Sequence, residues 1–142
     1  MTTISPVRTR CPGELITAIR GATQCHAEPD CSFSVTAMVW RPGQVTPIHD
    51  HVTWCVLGVL QGIEYEQLYA VGEDGSYLRE VGRSQNGTGE VSGFAPPGDI
   101  HRVRNRGDDI AISMHVYGAD ITRLGSSVRR TYDLPVTAPL LG

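Results

Sequence analysis

The feature that most constrains this chain is a pair of histidines, His49 and His51, within the stretch Gly43–Gly62 (GQVTPIHDHVTWCVLGVLQG). Side chains at positions i and i+2 of a β-strand point to the same side of the sheet. Pro47, just before the pair, is typical of a strand start. Two imidazoles on one face predict a pair of metal ligands. The candidate third ligand is His101, in the segment PPGDIHRVRN.

Short apolar segments separated by turn residues run through most of the sequence. Its 142 residues include 16 glycines and 9 prolines, which favours many turns and short strands. The pattern predicts an all-β barrel or sandwich, with loops at residues 21–32 and Arg83–Gly89. The expected strands are Phe33–Arg41, Trp54–Leu60, Ile63–Val71, Tyr77–Val81, Val91–Phe94, Ile100–Arg104 and Ile110–Tyr117.

A chain of this length is expected to form one domain. Within it we predict an N-terminal arm and short helix over residues 1–32, a barrel core over 33–120 and a C-terminal tail over 121–142. The helix would begin at Pro12–Glu14 and end near Gly21.

Composition argues against several classes of function. The net charge of -3 gives no reason to expect nucleic acid or an anionic membrane as a partner. The apolar runs are too short for a membrane span, and the first residues lack the apolar core of a signal peptide. The four cysteines show no CxxC spacing of a zinc site. We therefore expect a cytoplasmic protein.

A second group of polar residues alternates on the last predicted strand. Ser113, His115 and Tyr117 would share one face of that strand. They do not form a nucleophilic triad, because no acidic residue completes the set in the sequence. Their order suits a chain of hydrogen bonds, and the alternative is an ordinary strand whose polar residues face a barrel interior.

The histidine pair belongs to a longer pattern. Four residues fall on the first motif of the cupin superfamily, G(x)5HxH(x)3–4E(x)6G: Gly43, His49, His51 and Gly62. Cys55 stands at the glutamate position of that motif. The second cupin motif, G(x)5PxG(x)2H(x)3N, is matched from Pro96 through His101 to Asn105, with its opening glycine displaced by one to Gly89.

Within this superfamily the chain resembles the cysteine dioxygenase-like family of thiol dioxygenases. The resemblance rests on WRPGQVTPIHDHVTW, VLQG, HRVRN and SMHVYG, and it is strong from about residue 33 to residue 120. It implies a cupin double-stranded β-helix, or jelly-roll barrel, with a short N-terminal helical region. It also implies an enzyme that uses Fe²⁺ and O2 to oxidise a small thiol to its sulfinate. Cysteine, 3-mercaptopropionate and related thiol acids are the implied substrates.

The resemblance also implies roles for individual residues. His49, His51 and His101 would hold Fe²⁺ without a carboxylate, and the uncompensated metal charge would favour an anionic thiolate. Tyr117 would lie near the metal, oriented by His115 and Ser113. Cys55 is at the position of the cysteine that joins the catalytic tyrosine through a thioether in animal members of the family. The alternative for Cys55 is a small buried apolar residue.

The group that would bind a substrate carboxylate is less defined. Arg20 or Gln24 upstream, and Arg129 or Arg130 downstream, are the candidates, and a surface position is the alternative for each. The competing functions are another metal-dependent cupin enzyme and a non-catalytic cupin that binds a metal or small molecule. A monomer or a homodimer is compatible with the sequence.

Overall fold

Strands dominate the part of the chain that the computed structural model describes, residues 21–137. In chain order they are β1 (Ala22–Ala27), β2 (Ser34–Trp40), β3 (Ile48–His51), β4 (Cys55–Gln61), β5 (Ile63–Val71), β6 (Leu78–Gly87), β7 (Val91–Phe94), β8 (His101–Arg104), β9 (Ala111–Tyr117), β10 (Val128–Tyr132) and β11 (Val136–Thr137). A short helix, α1 (Ile121–Leu124), precedes β10. The all-β prediction is confirmed. The predicted N-terminal helix lies outside the described residues.

The strands are divided between two sheets. One sheet has the order β1-β2-β9-β4-β7, and the other has the order β10-β3-β8-β5-β6-β11. The pairings between the described strands are antiparallel except for β6 with β11. From β2 to β10 the chain passes repeatedly from one sheet to the other, which is the connectivity of a jelly-roll barrel.

The space between the sheets is unusually polar for a protein interior. Along β9 the buried side chains are Ala111, Ser113, His115 and Tyr117, and the residues between them are only half-buried. On β2 the buried residues are Ser34 and Thr36, so the polar face of that strand is the inward one. Burying this many polar groups is costly unless they are paired, which marks the interior as a place for function.

Apolar packing is concentrated at one side of the six-stranded sheet. A buried cluster there consists of Ile48, Tyr69, Leu78 and Ile100, with Tyr132 and Leu134 packed against it. These residues come from β3, β5, β6 and β10, from the residue before β8 and from the segment between β10 and β11. The cluster therefore fixes the strand that carries His49 and His51 against its neighbours.

Two segments predicted as loops are partly strands. Residues 21–32 contain β1, which pairs with β2, although ATQCHA lacks the apolar alternation expected of a strand. Most of Arg83–Gly89 belongs to β6, which continues through Gly87 and pairs with β5. Both predictions were wrong because cross-strand backbone pairing outweighs local polarity in a sheet.

The segment after Tyr117 also contributes to the sheets. Asp120 caps α1 by accepting a hydrogen bond from the backbone N–H of Thr122, and Gly125 ends the helix in the left-handed conformation, with a φ of 83°. β10 then pairs with β3. Part of the expected C-terminal tail thus lies beside the histidine strand. Within residues 21–137, no helix has the length and apolar character that a membrane span requires.

Candidate metal centre

Three buried histidines meet between the two sheets. His49 and His51 lie on β3, and His101 on β8 is the register partner of His49. The ring centroids are 4.7 to 4.8 Å apart, and one nitrogen of each ring lies within 4.8 Å of the others. The structure therefore brings together the three residues that the sequence predicted as metal ligands.

An oxygen acceptor fixes the outer nitrogen of each ring. The Nδ1–H of His49 donates to the carbonyl of Pro47 at 2.8 Å, that of His51 to Asp99 at 3.0 Å, and that of His101 to Glu66 at 2.6 Å. This assignment leaves each Nε2 with a lone pair, and the Nε2 atoms of His49 and His51 are 3.2 Å apart. Such partners on the outer nitrogen orient metal-binding histidines in proteins.

Burial keeps His49 and His51 in the form that binds metal. Desolvation lowers the pKa of His49. It also lowers the pKa of His51 to about 4, with a further contribution from the neighbouring His101 and His49. Only neutral imidazole can coordinate a cation. Three imidazoles without a carboxylate among them suit Fe, Zn, Cu or Ni rather than Mg or Ca, so the residues present fit a transition metal.

Asp50 lies between the two histidines on β3 but points away from them. Its Oδ2 accepts hydrogen bonds from the Nε and Nη2 of Arg130 at 3.0 and 2.7 Å and from the hydroxyl of Tyr132 at 2.9 Å. Burial by itself would raise the pKa of Asp50, but the bonds from Arg130 and Tyr132 outweigh it and lower that pKa. The carboxylate thus ties β3 to β10.

The polar residues of β9 lie next to the three histidines. The Ser113 hydroxyl and His115 Nε2 are 2.9 Å apart, and the indole N–H of Trp40 donates to Ser113 Oγ at 3.1 Å. The rings of His115 and Tyr117 are stacked, with centroids 6.0 Å apart. The other ring nitrogen of His115, Nδ1, faces the Cys55 sulfur at 3.7 Å.

Cys55 connects Tyr117 with His115. Cys55 on β4 and Tyr117 on β9 are direct partners across the antiparallel ladder, and their side chains are hydrogen-bonded to each other. Burial, followed by the nearby charge of Glu64, raises the pKa of the Cys55 thiol to about 12. Burial and Cys55 raise the pKa of the Tyr117 phenol. Both groups therefore keep their protons at neutral pH.

One acidic residue that the sequence did not predict stands beside His115. Glu64 on β5 is 1% exposed, and its Oε2 lies 3.5 Å from the Nε2 of His115. Neither carboxylate oxygen has a hydrogen-bond partner within residues 21–137. Glu64 approaches the same ring nitrogen as Ser113, so it does not complete a nucleophilic triad, and it reaches the polar residues of β9 from a different sheet.

A cavity of about 750 Å³ opens onto both groups. His49, His51, His101, His115 and Tyr117 share its wall. The rest of the lining is apolar or neutral: Ala22, Met38, Trp40, Gln44, Val45, Thr46, Pro47, Val103, Ser126, Ser127, Val128 and Thr131. The arrangement can hold a metal ion next to a buried phenol in a site large enough for a small molecule.

The predicted carboxylate-binding residues do not lie in this cavity. Arg130 is occupied by Asp50, and neither it nor Arg129 is part of the lining. Gln24 bonds to Thr122 near the start of α1. Arg20 lies outside the described residues. The geometry therefore does not support Arg129, Arg130 or Gln24 as the anchor.

Sequence reasoning missed the residues that support the histidines. Glu66 and Asp99 hold the rings of His101 and His51, and Glu64 approaches His115. A signal was available for two of them, since Glu64 and Glu66 alternate within IEYEQLY, an otherwise largely apolar strand. That spacing indicates two acids on the same face of β5.

Comparison with known proteins places this chain in a recognised group. The family model described as cysteine dioxygenase type I matches residues 23–125. Among solved structures, a Cupin 2 conserved barrel domain protein from Salinispora arenicola CNS-205 is 20% identical with a TM-score of 0.53, over 88% of this chain and 94% of that chain. A Cupin_2 domain of an XRE family transcriptional regulator from Enterobacter cloacae is 14% identical with a TM-score of 0.51, over 70% of this chain and 95% of that one.

A larger protein contains a similar barrel. The capsular polysaccharide assembling protein CapF from Staphylococcus aureus is 19% identical with a TM-score of 0.61, over 84% of this chain and 33% of that chain. This chain thus spans about a third of CapF. At these identities the solved structures show the fold alone, and they confirm the predicted cupin barrel.

Proposed function

The chain belongs to the cysteine dioxygenase type I family, and on that premise we propose that it is an iron-dependent thiol dioxygenase. The reaction joins a small thiol and O2 to give the corresponding sulfinate, R–SH + O2 → R–SO2H. One observation carries the proposal: three buried histidines converge beside a cavity whose wall also contains the phenol of Tyr117.

The histidines would hold Fe²⁺ through the Nε2 atoms of His49, His51 and His101. When bound, the ion would supply open coordination positions and the redox chemistry of oxygen activation. The chain's own contribution is to bury the three rings and to orient those of His101 and His51 through the acceptors Glu66 and Asp99. Phe94 packs on His51 and His101, with ring centroids 4.3 and 4.8 Å away, which shields that side of the cluster from water.

Tyr117 is proposed to be the hydrogen-bonding catalytic residue, positioned by its neighbours. Its phenol keeps its proton because burial raises its pKa, so it forms hydrogen bonds in the cavity wall as a neutral hydroxyl. Ser127 and Cys55 hold the hydroxyl, and His115 and Ser113 extend the hydrogen-bonded group along β9. The neutral lining suits a small thiol, and Gln44, Thr46 and Thr131 are available for its polar substituent.

We further propose that Cys55 and Tyr117 form a thioether during turnover. They are direct cross-strand partners, and their side chains are in contact. Forming the S–C bond removes one hydrogen from the thiol and one from the aromatic ring, and O2 accepts the two electrons and two protons. The intact mass of iron-loaded, oxygen-exposed protein should fall by two hydrogens. A mass that stays unchanged through turnover would leave Cys55 as a small buried residue.

The function is tested by combining metal analysis with oxygen uptake and product identification. The thiol panel should include cysteine, 3-mercaptopropionate and cysteamine, because cysteamine lacks the carboxylate. We expect iron to co-purify and at least one thiol to yield its sulfinate with consumption of one O2 per molecule. A cupin that only binds small molecules would retain thiols without consuming O2, and that result would contradict the proposal. The protein is proposed to act in the cytoplasm as a monomer or homodimer, with no nucleic acid or membrane partner.

A further inference from the structure

Short contacts link Ser113 and His115 on β9 with Cys55 on β4. The donors and acceptors in this group can be arranged in two opposite directions. In one, the Ser113 hydroxyl donates to His115 Nε2, and the Nδ1–H of His115 donates to the Cys55 sulfur. In the other, the Cys55 thiol donates to Nδ1, and the Nε2–H donates to Ser113 Oγ. The distances of 2.9 Å and 3.7 Å are compatible with both directions, because hydrogen positions follow from the surroundings of the ring.

Trp40 constrains the serine at one end. An indole N–H can only donate, so Ser113 Oγ must accept the bond from Trp40 at 3.1 Å. The oxygen retains a second lone pair and its own proton. It can therefore either accept from or donate to His115, and Trp40 does not decide between the two directions.

Glu64 distinguishes between the two hydrogen-bond directions. Its Oε2 is 3.5 Å from the same Nε2 atom, a distance at which the pair interacts through charge rather than through a formed hydrogen bond. With Glu64 ionised, an Nε2 lone pair would face a buried negative charge and be repelled by it, whereas an Nε2–H would be attracted. The interaction is strong in this setting, because Glu64 is 1% exposed and the surrounding dielectric is low. No donor within residues 21–137 neutralises the carboxylate otherwise.

We propose that Glu64 is a positioning residue that holds the proton of His115 on Nε2 and so sets the direction of the whole group. Nδ1 is then the acceptor for the Cys55 thiol, and the Cys55 sulfur is the acceptor for the Tyr117 hydroxyl. The donors Tyr117, Cys55 and His115 then form one series that ends at Ser113 and Glu64. The catalytic use of this direction rests on the proposed function, but the direction itself does not.

The protonation of the two donors agrees with this direction. Burial raises the pKa of the Cys55 thiol to about 12 and also raises that of the Tyr117 phenol, so both carry the hydrogen that the direction requires. The other titratable group that acts on Cys55 is Glu66, and that carboxylate is already bonded to His101 and Ser84. Glu64 is thus the carboxylate whose hydrogen-bonding capacity is unused.

The test is the protonation pattern of the His115 ring, measured by ¹⁵N NMR on the full-length chain. Zn²⁺ replaces any paramagnetic metal, the protein is labelled at histidine, and the His115 signals are assigned by their loss in a His115→Gln variant. In the wild type we expect a proton on Nε2 and a bare Nδ1. In Glu64→Gln, which keeps the shape and removes the charge, we expect that preference to disappear in favour of the Nδ1–H form or a mixture.

The matched control is Glu73→Gln, an exposed residue in the turn between β5 and β6, which should leave the His115 signals unchanged. A wild-type ring that carries its proton on Nδ1 would overturn the proposal, even if Glu64→Gln failed to fold. A folded Glu64→Gln variant with the wild-type pattern would overturn it as well. Because the measurement needs no turnover, its outcome is independent of whether the chain oxidises thiols.

Discussion

Glu64 and Glu66 enter the barrel interior from the same strand, two residues apart, yet their surroundings differ sharply. Glu66 accepts from His101 at 2.6 Å through one oxygen and from Ser84 at 3.0 Å through the other. Glu64 has no hydrogen-bond partner within residues 21–137 and meets His115 only at 3.5 Å. Both oxygens of Glu66 therefore accept a hydrogen bond, whereas neither oxygen of Glu64 does so in the described part of the chain.

The difference separates two tasks within one cavity. A metal site needs rings whose orientation does not change, and Glu66, Asp99 and the Pro47 carbonyl saturate all three outer nitrogens. The group around His115 instead has several polar atoms within reach of one ring. The direction of hydrogen bonding in such a group depends on the charge of Glu64 rather than on a partner for every polar atom. The barrel thus combines a rigid metal centre with a neighbouring group whose hydrogen-bond direction depends on one charge.

The largest effect is expected at the rigid centre itself. Replacing His101 with alanine should abolish iron retention and turnover together, since two remaining imidazoles bind weakly and leave the site open. Metal analysis and oxygen uptake on the purified variant measure both. His26→Ala is the control, because His26 pairs with Glu28 away from the cluster. Full activity in His101→Ala would show that the ligand assignment is wrong.

A smaller loss is expected when the support of a ligand is changed. Glu66→Gln removes the charge that holds His101, and metal affinity should fall on the order of tenfold, as for other outer partners of ligating histidines. Competition with a chelator measures it, with Glu73→Gln as the control. If metal affinity were unchanged, the pairing of β3 with β8 would suffice to orient His101. Glu66 would then have no role in metal binding that distinguishes it from Glu64.

The sequence predicted the strands and residues whose signals are local. β5 was predicted with its observed bounds, and the spacing of His49 and His51 placed both rings on one face. The third ligand followed from pairing two distant motifs. These predictions worked because strand periodicity and turn residues report on a few neighbouring positions.

Interactions between distant segments could not be predicted in the same way. Glu64 and His115 are brought together only by the packing of β5 against β9, and nothing in SMHVYG indicates an acid nearby. Arg130 is a second example. Its sequence position suggested a substrate anchor, but the pairing of β10 with β3 brings its guanidinium into a hydrogen bond with Asp50. A side chain's partner in a barrel depends on which strands become neighbours, and that is a property of the whole chain.

In the group around His115, the Cys55 thiol should not react with alkylating reagents at moderate pH. At pH 8, a thiol with the ordinary pKa of 9.0 is ionised in about one molecule in ten. With a pKa of about 12, the ionised fraction at the same pH is about one in ten thousand. Iodoacetamide should therefore modify Cys31, which is partly exposed, and leave Cys55 intact until the protein unfolds. Peptide mass mapping distinguishes the two sites. Rapid labelling of Cys55 in the folded state would mean that its thiol is already ionised.

The same shift makes stability depend on alkaline pH. The thiol holds its proton more tightly in the folded chain than in the unfolded one, so its contribution is complete below pH 9 and is lost as the pH rises toward 12. The unfolding midpoint should therefore fall more steeply over that range in the wild type than in Cys55→Ala. Parallel pH profiles for the two proteins would contradict the raised pKa.

The smallest effect on catalysis is expected from Arg130→Gln, outside the cavity. Its guanidinium contacts Asp50, while the Arg130 side chain is 56% exposed, so the variant should unfold at a lower temperature because a buried carboxylate loses its charged partner. The KM for a thiol acid should change by less than about twofold, since no contact with substrate is removed. Arg129→Gln is the matched control, because it removes the adjacent arginine of β10 and leaves both hydrogen bonds from Arg130 to Asp50 Oδ2 in place. The opposite result would be an unchanged unfolding midpoint with a KM that rises for thiol acids but not for cysteamine. That result would assign Arg130 to the substrate carboxylate and would place part of the substrate site on β10.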